Sequence, residues 1–299
     1  MNHIELKGII PPIITPMNED ESVNYAELRN QVNRLIEGGV HGLFPFGTNG
    51  EGYILTADEK KKVLETVIEA VDKRVPVYAG TGCISTKETV EMSKMAQSMG
   101  ADALSIITPS FALASQDELY EHYKKVAAEV ELPIVLYNIP ARTGNSLAPA
   151  TVGKLAKIDN ILAVKDSSGN FNNILDYISA AKSEDFTVLS GNDALIIWTL
   201  MAGGTGGIAG CANVFPHTMA SIYDSFVAGD IEKAKEANES IHPFRACFKY
   251  GNPNTIVKTA VAMQGYPVGK CRAPFNGVPK DGLDAIQKVL VECKEKGMC

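Results

Sequence analysis

Long apolar runs, clustered metal ligands and clustered basic residues are all missing from this 299-residue sequence. No segment approaches the ~18 consecutive apolar residues that a membrane helix needs. The N-terminal segment has no apolar signal core, so we expect a cytoplasmic protein that has no membrane partner. The net charge is −7 and the Lys and Arg residues are scattered. This charge distribution argues against a nucleic-acid partner.

Cysteine and histidine are few and widely spaced. The six cysteines form no CxxC pair, and the five histidines show no HxxxH spacing. Disulfide frameworks and zinc sites need their ligands at such short spacings or in compact sets. We therefore expect free thiols in a reducing compartment and no metal site.

Short apolar runs of strand length alternate with amphipathic segments of helix length along most of the chain. The runs are apolar on both faces, as strands covered on both sides must be. Eight strand–helix units in series favour an α/β fold of the closed (β/α)8 (TIM) barrel type over an open sheet. The predicted strands are residues 8–15, 42–46, 76–80, 103–108, 133–138, 161–165, 187–191 and 207–212.

The same pattern predicts one domain over residues 1–299, because no linker or low-complexity tract interrupts it. Residues 1–229 are assigned to the barrel. Strand patterns stop beyond residue 230, so residues 230–299 are expected to form a C-terminal helical extension. Its predicted helices are residues 231–249, 254–265 and 280–297.

Lys165 is the leading candidate for a catalytic residue. It directly follows the apolar run 161–164, and catalytic side chains of a barrel gather at the C-terminal ends of its strands. A partly desolvated lysine there has a lowered pKa, and its free amine is the nucleophile that forms an imine with a carbonyl substrate. The alternatives are a lysine that reaches the rim or one that pairs with Asp166.

Other strand ends carry further polar candidates. The turn Gly47-Thr48-Asn49-Gly50-Glu51 has glycines that leave backbone amides open to a carboxylate, although it could equally be a tight polar turn. Tyr137 is either a proton-relay member or a core tyrosine. Arg142 suits a substrate carboxylate, or else lies in solvent. Gly191 ends another predicted strand and is taken as a substrate contact.

Six ordered segments resemble the dihydrodipicolinate synthase and N-acetylneuraminate lyase family of class I, Schiff-base aldolases. The resemblance covers nearly the whole chain and implies a pyruvate-dependent enzyme. The matching segments are GIIPPIITPM, GTNGE, YNIPARTG, VKDSSGN, SGND and NPNTIVK.

The resemblance implies roles for individual positions. Lys165 matches the imine-forming lysine and Tyr137 the tyrosine that moves protons. Thr48 matches the hydroxyl residue that orients this tyrosine, and with the Asn49 amide and the adjoining Gly47 it is similar to a pyruvate carboxylate site. Three further positions complete the expected substrate contacts. Ile208 matches a residue that touches pyruvate, Arg142 matches one that meets the carboxylate of the aldehyde partner, and Phe111 is also expected to bind substrate.

Two positions depart from the pattern of the synthases. Asn49 replaces the second threonine of their turn, and Phe111 stands where they carry a tyrosine lent across a subunit interface. Phenylalanine has no hydroxyl to pass a proton. We therefore predict a lyase that cleaves or dehydrates a 2-oxo-3-deoxy sugar acid to pyruvate and an aldehyde. The alternatives are a synthase that condenses pyruvate with aspartate semialdehyde, and a non-catalytic ligand-binding paralogue.

The covalent imine implies that no metal and no organic cofactor is needed, because the substrate itself becomes the electron sink. The partners are then small molecules, a 2-oxo acid and an aldehyde. The resemblance also implies a homotetramer built as a dimer of dimers.

Overall fold

The computed structural model describes residues 4–298, which contain one seven-stranded sheet. The sheet order is β1-β7-β6-β5-β4-β3-β2, and neighbouring strands from β2 to β7 pair in parallel. Sequential parallel neighbours are what repeated strand–helix units produce. The strands are β1 (Gly8–Ile9), β2 (Tyr78–Gly80), β3 (Ala103–Ile107), β4 (Ile134–Asn138), β5 (Ile161–Asp166), β6 (Thr187–Ser190) and β7 (Gly206–Gly207).

Helices follow most strands and also form the C-terminal extension. Capping boxes start two of them: Thr56 and Glu59 cap one helix, and Ser115 and Glu118 cap another. The α-helices are α1 (Tyr25–Glu37), α2 (Ala57–Val71), α3 (Thr86–Met99), α4 (Gln116–Ala127), α5 (Pro140–Thr143), α6 (Pro149–Leu155), α7 (Phe171–Ala180), α8 (Ile196–Met201), α9 (Pro216–Val227), α10 (Ile231–Ser240), α11 (His242–Arg245), α12 (Pro253–Met263) and α13 (Lys280–Glu295). Short 3-10 helices cover Asp193–Leu195, Gly210–Asn213 and Ala246–Tyr250.

The described residues group into two compact units. The first unit contains the residues up to Gly8 and Pro76–Ile208, and therefore β2–β7 with helices α3–α8. The second unit contains Ile9–Val75 and the residues from Ala209 onward, with α1, α2 and α9–α13. The predicted C-terminal extension thus shares a unit with residues 9–75. The prediction of one domain with a boundary at 229/230 stays a prediction.

Four predicted strands are shorter than the sequence pattern suggested, or absent. The segment 8–15 is a strand only at Gly8–Ile9, and 76–80 only at Tyr78–Gly80. In the segment 42–46, the amide of Phe44 donates to the carbonyl of Pro11 over 3.0 Å, but no strand is assigned. The reason is that Pro11, Pro12 and Pro45 have no N–H to continue a ladder. The segment 207–212 is a strand only at its first residue, and a 3-10 helix begins at Gly210.

Candidate active site

Lys165 and Tyr137 lie side by side in the first unit. They are paired residues of the parallel strands β5 and β4, so their side chains leave the same face of the sheet. Both residues are only 3% exposed. The Lys165 Nζ lies 3.7 Å from the centre of the Tyr137 ring. The structure therefore brings together the two side chains that the sequence analysis placed at the centre of the chemistry.

The buried position of Lys165 changes its acidity. Desolvation lowers the pKa of its ammonium group, whereas the electrostatic interaction and the hydrogen bond with Tyr137, and the charge of Asp193, oppose this by favouring the protonated form. Burial is the largest of these effects. A lowered pKa increases the fraction of neutral amine near pH 7, and only the neutral amine can attack a carbonyl carbon.

Asp193 is a residue of this site that the sequence analysis missed. It is buried at the start of the 3-10 helix Asp193–Leu195, and the Asn192 side chain caps that helix. The sequence could have indicated this residue, because Asp193 is the last residue of the SGND segment, one of those that carry the family resemblance. Its carboxylate provides a negative charge near Lys165 that can also meet a polar substrate group.

Gly191 lies directly against the lysine. A Cβ at this position would lie 2.9 Å from the Lys165 Cε and would clash with the Ser167 Oγ. The Gly191 amide donates to the Asp166 carbonyl over 2.6 Å. Ile208, 1% exposed, follows β7 and its amide donates to the Ser190 carbonyl. Glycine is thus required at position 191 by close packing against the lysine stem, and its role as a substrate contact stays a prediction.

Asp166, next to Lys165, is held by a network of its own. Its Oδ2 accepts hydrogen bonds from the side-chain amides of Asn138 (2.8 Å) and Asn173 (2.6 Å). Its Oδ1 accepts from the amide (3.1 Å) and hydroxyl (2.6 Å) of Ser168. Since Asn138 follows Tyr137 and Asp166 follows Lys165, the 2.8 Å bond ties together the two strand ends that carry the site.

Arg142 and Phe111 lie away from this buried pair. Arg142 is exposed on the short helix α5. Phe111 is 99% exposed and has a positive φ of 78°. Its ring therefore does not pack on the buried Lys165 and Tyr137 within this chain. The predicted role of each in binding substrate stays a prediction.

The predicted carboxylate turn belongs to the second unit. The Glu51 amide donates to the Thr48 carbonyl over 3.2 Å, and the Gly52 amide to the Gly47 carbonyl over 3.4 Å. Asn49 is buried and Thr48 half-buried. A Cβ on Gly50 would lie 2.7 Å from the Ile13 carbonyl oxygen, so glycine is required by close packing there. The turn is compact, and its role in binding a carboxylate stays a prediction.

Within residues 4–298, no three His, Cys, Asp or Glu side chains are grouped so that they could hold a metal ion. No helix in this part of the chain is long and apolar enough to cross a membrane. The expectation that the chemistry needs neither metal nor organic cofactor stays a prediction.

Comparison with known proteins gives consistent matches over almost the whole length. Residues 5–293 match the model of the dihydrodipicolinate synthetase family. A 4-hydroxy-tetrahydrodipicolinate synthase of Methanocaldococcus jannaschii is 41% identical over 95% of this chain and 97% of its own. One of Haloarcula marismortui is 39% identical over 97% and 94%, respectively.

Solved structures agree with this assignment. The 4-hydroxy-tetrahydrodipicolinate synthase of Methylacidiphilum fumariolicum superposes with a TM-score of 0.94 at 30% identity, covering 98% of this chain and 97% of that one. This match confirms the predicted fold class, a (β/α)8 barrel with additional C-terminal helices. The relatives are named as synthases, which favours the synthase alternative over the predicted sugar-acid lyase. The chain belongs to the dihydrodipicolinate synthetase family and is a pyruvate-dependent lyase of the class I aldolase type.

Proposed function

We propose that this enzyme is a 4-hydroxy-tetrahydrodipicolinate synthase that condenses pyruvate with aspartate semialdehyde through an imine on Lys165. The observation that carries the proposal is the buried Lys165 amine 3.7 Å from the ring of Tyr137. The choice of substrate is supported by relatives that are about 40% identical over nearly their full length and bear this name.

The chemistry follows from the neutral amine. The Lys165 Nζ attacks the keto carbon of pyruvate, and loss of water leaves an imine. The protonated imine withdraws electrons, so the neighbouring methyl carbon loses a proton and becomes an enamine nucleophile. Its attack on an aldehyde forms a carbon–carbon bond and an alkoxide that needs a proton. Tyr137 is placed to take and return these protons, as a general acid and base.

The remaining site residues bind the carboxylates and the aldehyde in this proposal. The family resemblance implies that Thr48 is the residue that orients the tyrosine, and that the backbone of Gly47 and Asn49 binds the carboxylate of pyruvate. Ile208 packs against pyruvate. These roles are supported by the family resemblance, and by compact turn geometry in the case of the 47–51 turn.

Two further residues act at the aldehyde half of the site. Arg142, exposed on α5, meets the carboxylate of aspartate semialdehyde, because a guanidinium binds carboxylates in a bidentate way. Gly191 lets the backbone approach the Lys165 stem closely where the aldehyde meets the imine, since a Cβ there would press on the Lys165 Cε.

A second candidate function is the cleavage of a 2-oxo-3-deoxy sugar acid. Phe111 favours it, because phenylalanine replaces the tyrosine hydroxyl that the synthases use to pass protons. The same imine chemistry run in reverse breaks a carbon–carbon bond and releases pyruvate. The relatives named as synthases weigh against this candidate.

The test compares both reactions with the same purified protein. We expect condensation of pyruvate with aspartate semialdehyde at a kcat/KM above about 10⁴ M⁻¹s⁻¹, the low end for ordinary enzymes. Cleavage of a panel of 2-oxo-3-deoxy sugar acids should be slower by at least an order of magnitude. Faster release of pyruvate from any sugar acid would contradict the synthase proposal. The Lys165→Met variant is the control and should lack both activities.

A cytoplasmic location and a homotetramer remain predictions. The tetramer is checked by light scattering, in which a mass near that of the 32.1 kDa chain would contradict it. Since the imine needs only protein groups and substrate, activity should also survive prolonged treatment with a chelator.

A further inference from the structure

A fully buried ion pair in the second unit includes the last residue of the 47–51 turn. The Lys258 Nζ lies 2.7 Å from the Glu51 Oε1, and the side chains of Lys258 and Glu51 are 1% and 0% exposed. Charged residues are almost never fully buried unless they are paired. Such a pair costs more desolvation free energy than an apolar pair of the same volume, so stability alone is a weak reason for its presence.

Both oxygens of the Glu51 carboxylate are held by the C-terminal extension. Lys258 on α12 donates to Oε1, and the backbone amide of Arg272 donates to Oε2 over 2.7 Å. The Arg272 side chain also forms a salt bridge with Glu59, the N3 residue of α2. The extension therefore forms hydrogen bonds with both carboxylate oxygens of Glu51, the last residue of the 47–51 turn.

The backbone of Glu51 is in an unfavourable conformation. Its φ is +55°, in the left-handed region that few residues other than glycine adopt. The Glu51 amide also closes the turn by donating to the Thr48 carbonyl. A non-glycine residue keeps such a conformation only where its surroundings hold it. For Glu51, the surroundings that can hold it are the two donors to its carboxylate, the Lys258 ammonium and the Arg272 amide.

We propose that Glu51 and Lys258 are positioning residues that fix the 47–51 turn in the shape that binds the carboxylate of the 2-oxo acid. The C-terminal extension thereby sets the affinity of the enzyme for pyruvate. Neither residue contacts substrate, and both act through the backbone of Thr48 and Asn49. The proposal rests on the proposed function, which assigns the carboxylate to this turn.

The test separates positioning from stability by using two variants. Lys258→Met alone leaves the Glu51 carboxylate buried with one partner fewer, so it should lower the unfolding temperature and raise the KM for pyruvate. Adding Glu51→Leu removes the second charge, and replacement of a whole buried pair by apolar residues is often neutral or stabilising. Leucine is not branched at Cβ, so it adds no further strain at this φ.

We expect the double variant to regain most of the lost unfolding temperature. Its KM for pyruvate should stay at least tenfold above the wild-type value, and its kcat at saturating pyruvate should stay within about threefold. A KM that returns to normal together with the stability would overturn the proposal. Ile256→Val is the matched control, because it removes buried volume from the same helix at a position two residues before Lys258, which faces another side of the helix. It should lower stability and leave the KM unchanged.

Two further measurements complete the test, one on a third variant and one on the wild-type protein. If the double variant does not fold, Glu51→Gln keeps the side-chain shape, and it should raise the KM for pyruvate at least threefold; an unchanged KM would overturn the proposal. Wild-type protein is tested for pyruvate trapping by borohydride in parallel. Trapping at Lys165 with no KM effect in the variants overturns the positioning role alone, whereas no trapping in the wild type overturns the proposed function and this inference with it.

Discussion

The carboxylate of Asp166 accepts four hydrogen bonds, two on each oxygen. Asn138 and Asn173 donate to Oδ2, and the amide and hydroxyl of Ser168 donate to Oδ1. In Asp166→Asn, one of these oxygens becomes an NH₂ group, which is a donor. Whichever way the new amide turns, at least one N–H donor then faces a donor in a site that is 1% exposed, because only the Ser168 hydroxyl can accept without turning its side chain.

The cost can be worked out from that geometry. At least one hydrogen bond to a charged group is lost, at roughly 1.5–3 kcal/mol, so Asp166→Asn should lower the free energy of unfolding by at least about 1.5 kcal/mol. The measurement is urea unfolding of both proteins at one concentration, because oligomer formation makes apparent stability depend on concentration. Since Asp166 follows Lys165, kcat should fall as well.

Asp176→Asn is the matched control, because it makes the same chemical change at an exposed position on α7, the helix that carries Asn173. It should change stability by less than about 0.5 kcal/mol. A loss below about 1 kcal/mol in Asp166→Asn would refute the account of a carboxylate locked by four donors. Equal losses in the two variants would refute it too.

Three further predictions concern the side chains around the amine. Tyr137→Phe should lower kcat by roughly 10²-fold or more in steady-state assays, the scale for losing a positioned acid–base group, and a near-normal kcat would contradict the relay. Gly191→Ala should lower the unfolding temperature and slow imine formation with pyruvate at least tenfold, because its Cβ would press on the Lys165 Cε, the Ser167 Oγ and the Asp166 carbonyl oxygen; normal trapping kinetics would show that the contact with the lysine is harmless. Lys165→Met should unfold at a higher temperature than wild type near neutral pH. Because burial lowers the pKa of Lys165 in the folded state, the wild-type protein gains stability as pH rises towards the ordinary lysine value of about 10.4, so the difference should shrink with pH. If the difference in unfolding temperature between the variant and wild type grew with pH, this prediction would be wrong.

Much of the fold was predictable because an apolar run of strand length indicates a strand that is buried on both faces. The runs at 103–108, 133–138, 161–165 and 187–191 became β3, β4, β5 and β6 with bounds within a residue or two. The strand ends at Tyr137 and Lys165 were therefore placed correctly, and so was the buried lysine at the rim of the sheet. Strands in segments rich in proline or glycine were not predicted correctly, because the backbone of these segments cannot complete a regular hydrogen-bond ladder.

The parts of the site that sequence reasoning missed depend on contacts between distant positions. Asp166 was considered as an ion-pair partner of Lys165, but its carboxylate accepts hydrogen bonds from Asn138, Asn173 and Ser168 instead. Alternate residues of a strand point to opposite faces, which already separates neighbours such as Lys165 and Asp166. The pairing of Glu51 with Lys258 joins residues 207 positions apart, and nothing in local sequence predicts it.

The central claim, an imine on Lys165, is tested most directly by trapping. The wild-type protein is incubated with pyruvate and borohydride, digested and mapped by mass spectrometry, with Lys165→Met treated in parallel. The account predicts one reduced pyruvate adduct, on Lys165, which is absent from the variant. An adduct on another lysine, or a wild-type protein that turns over pyruvate and aspartate semialdehyde without any adduct, would contradict it.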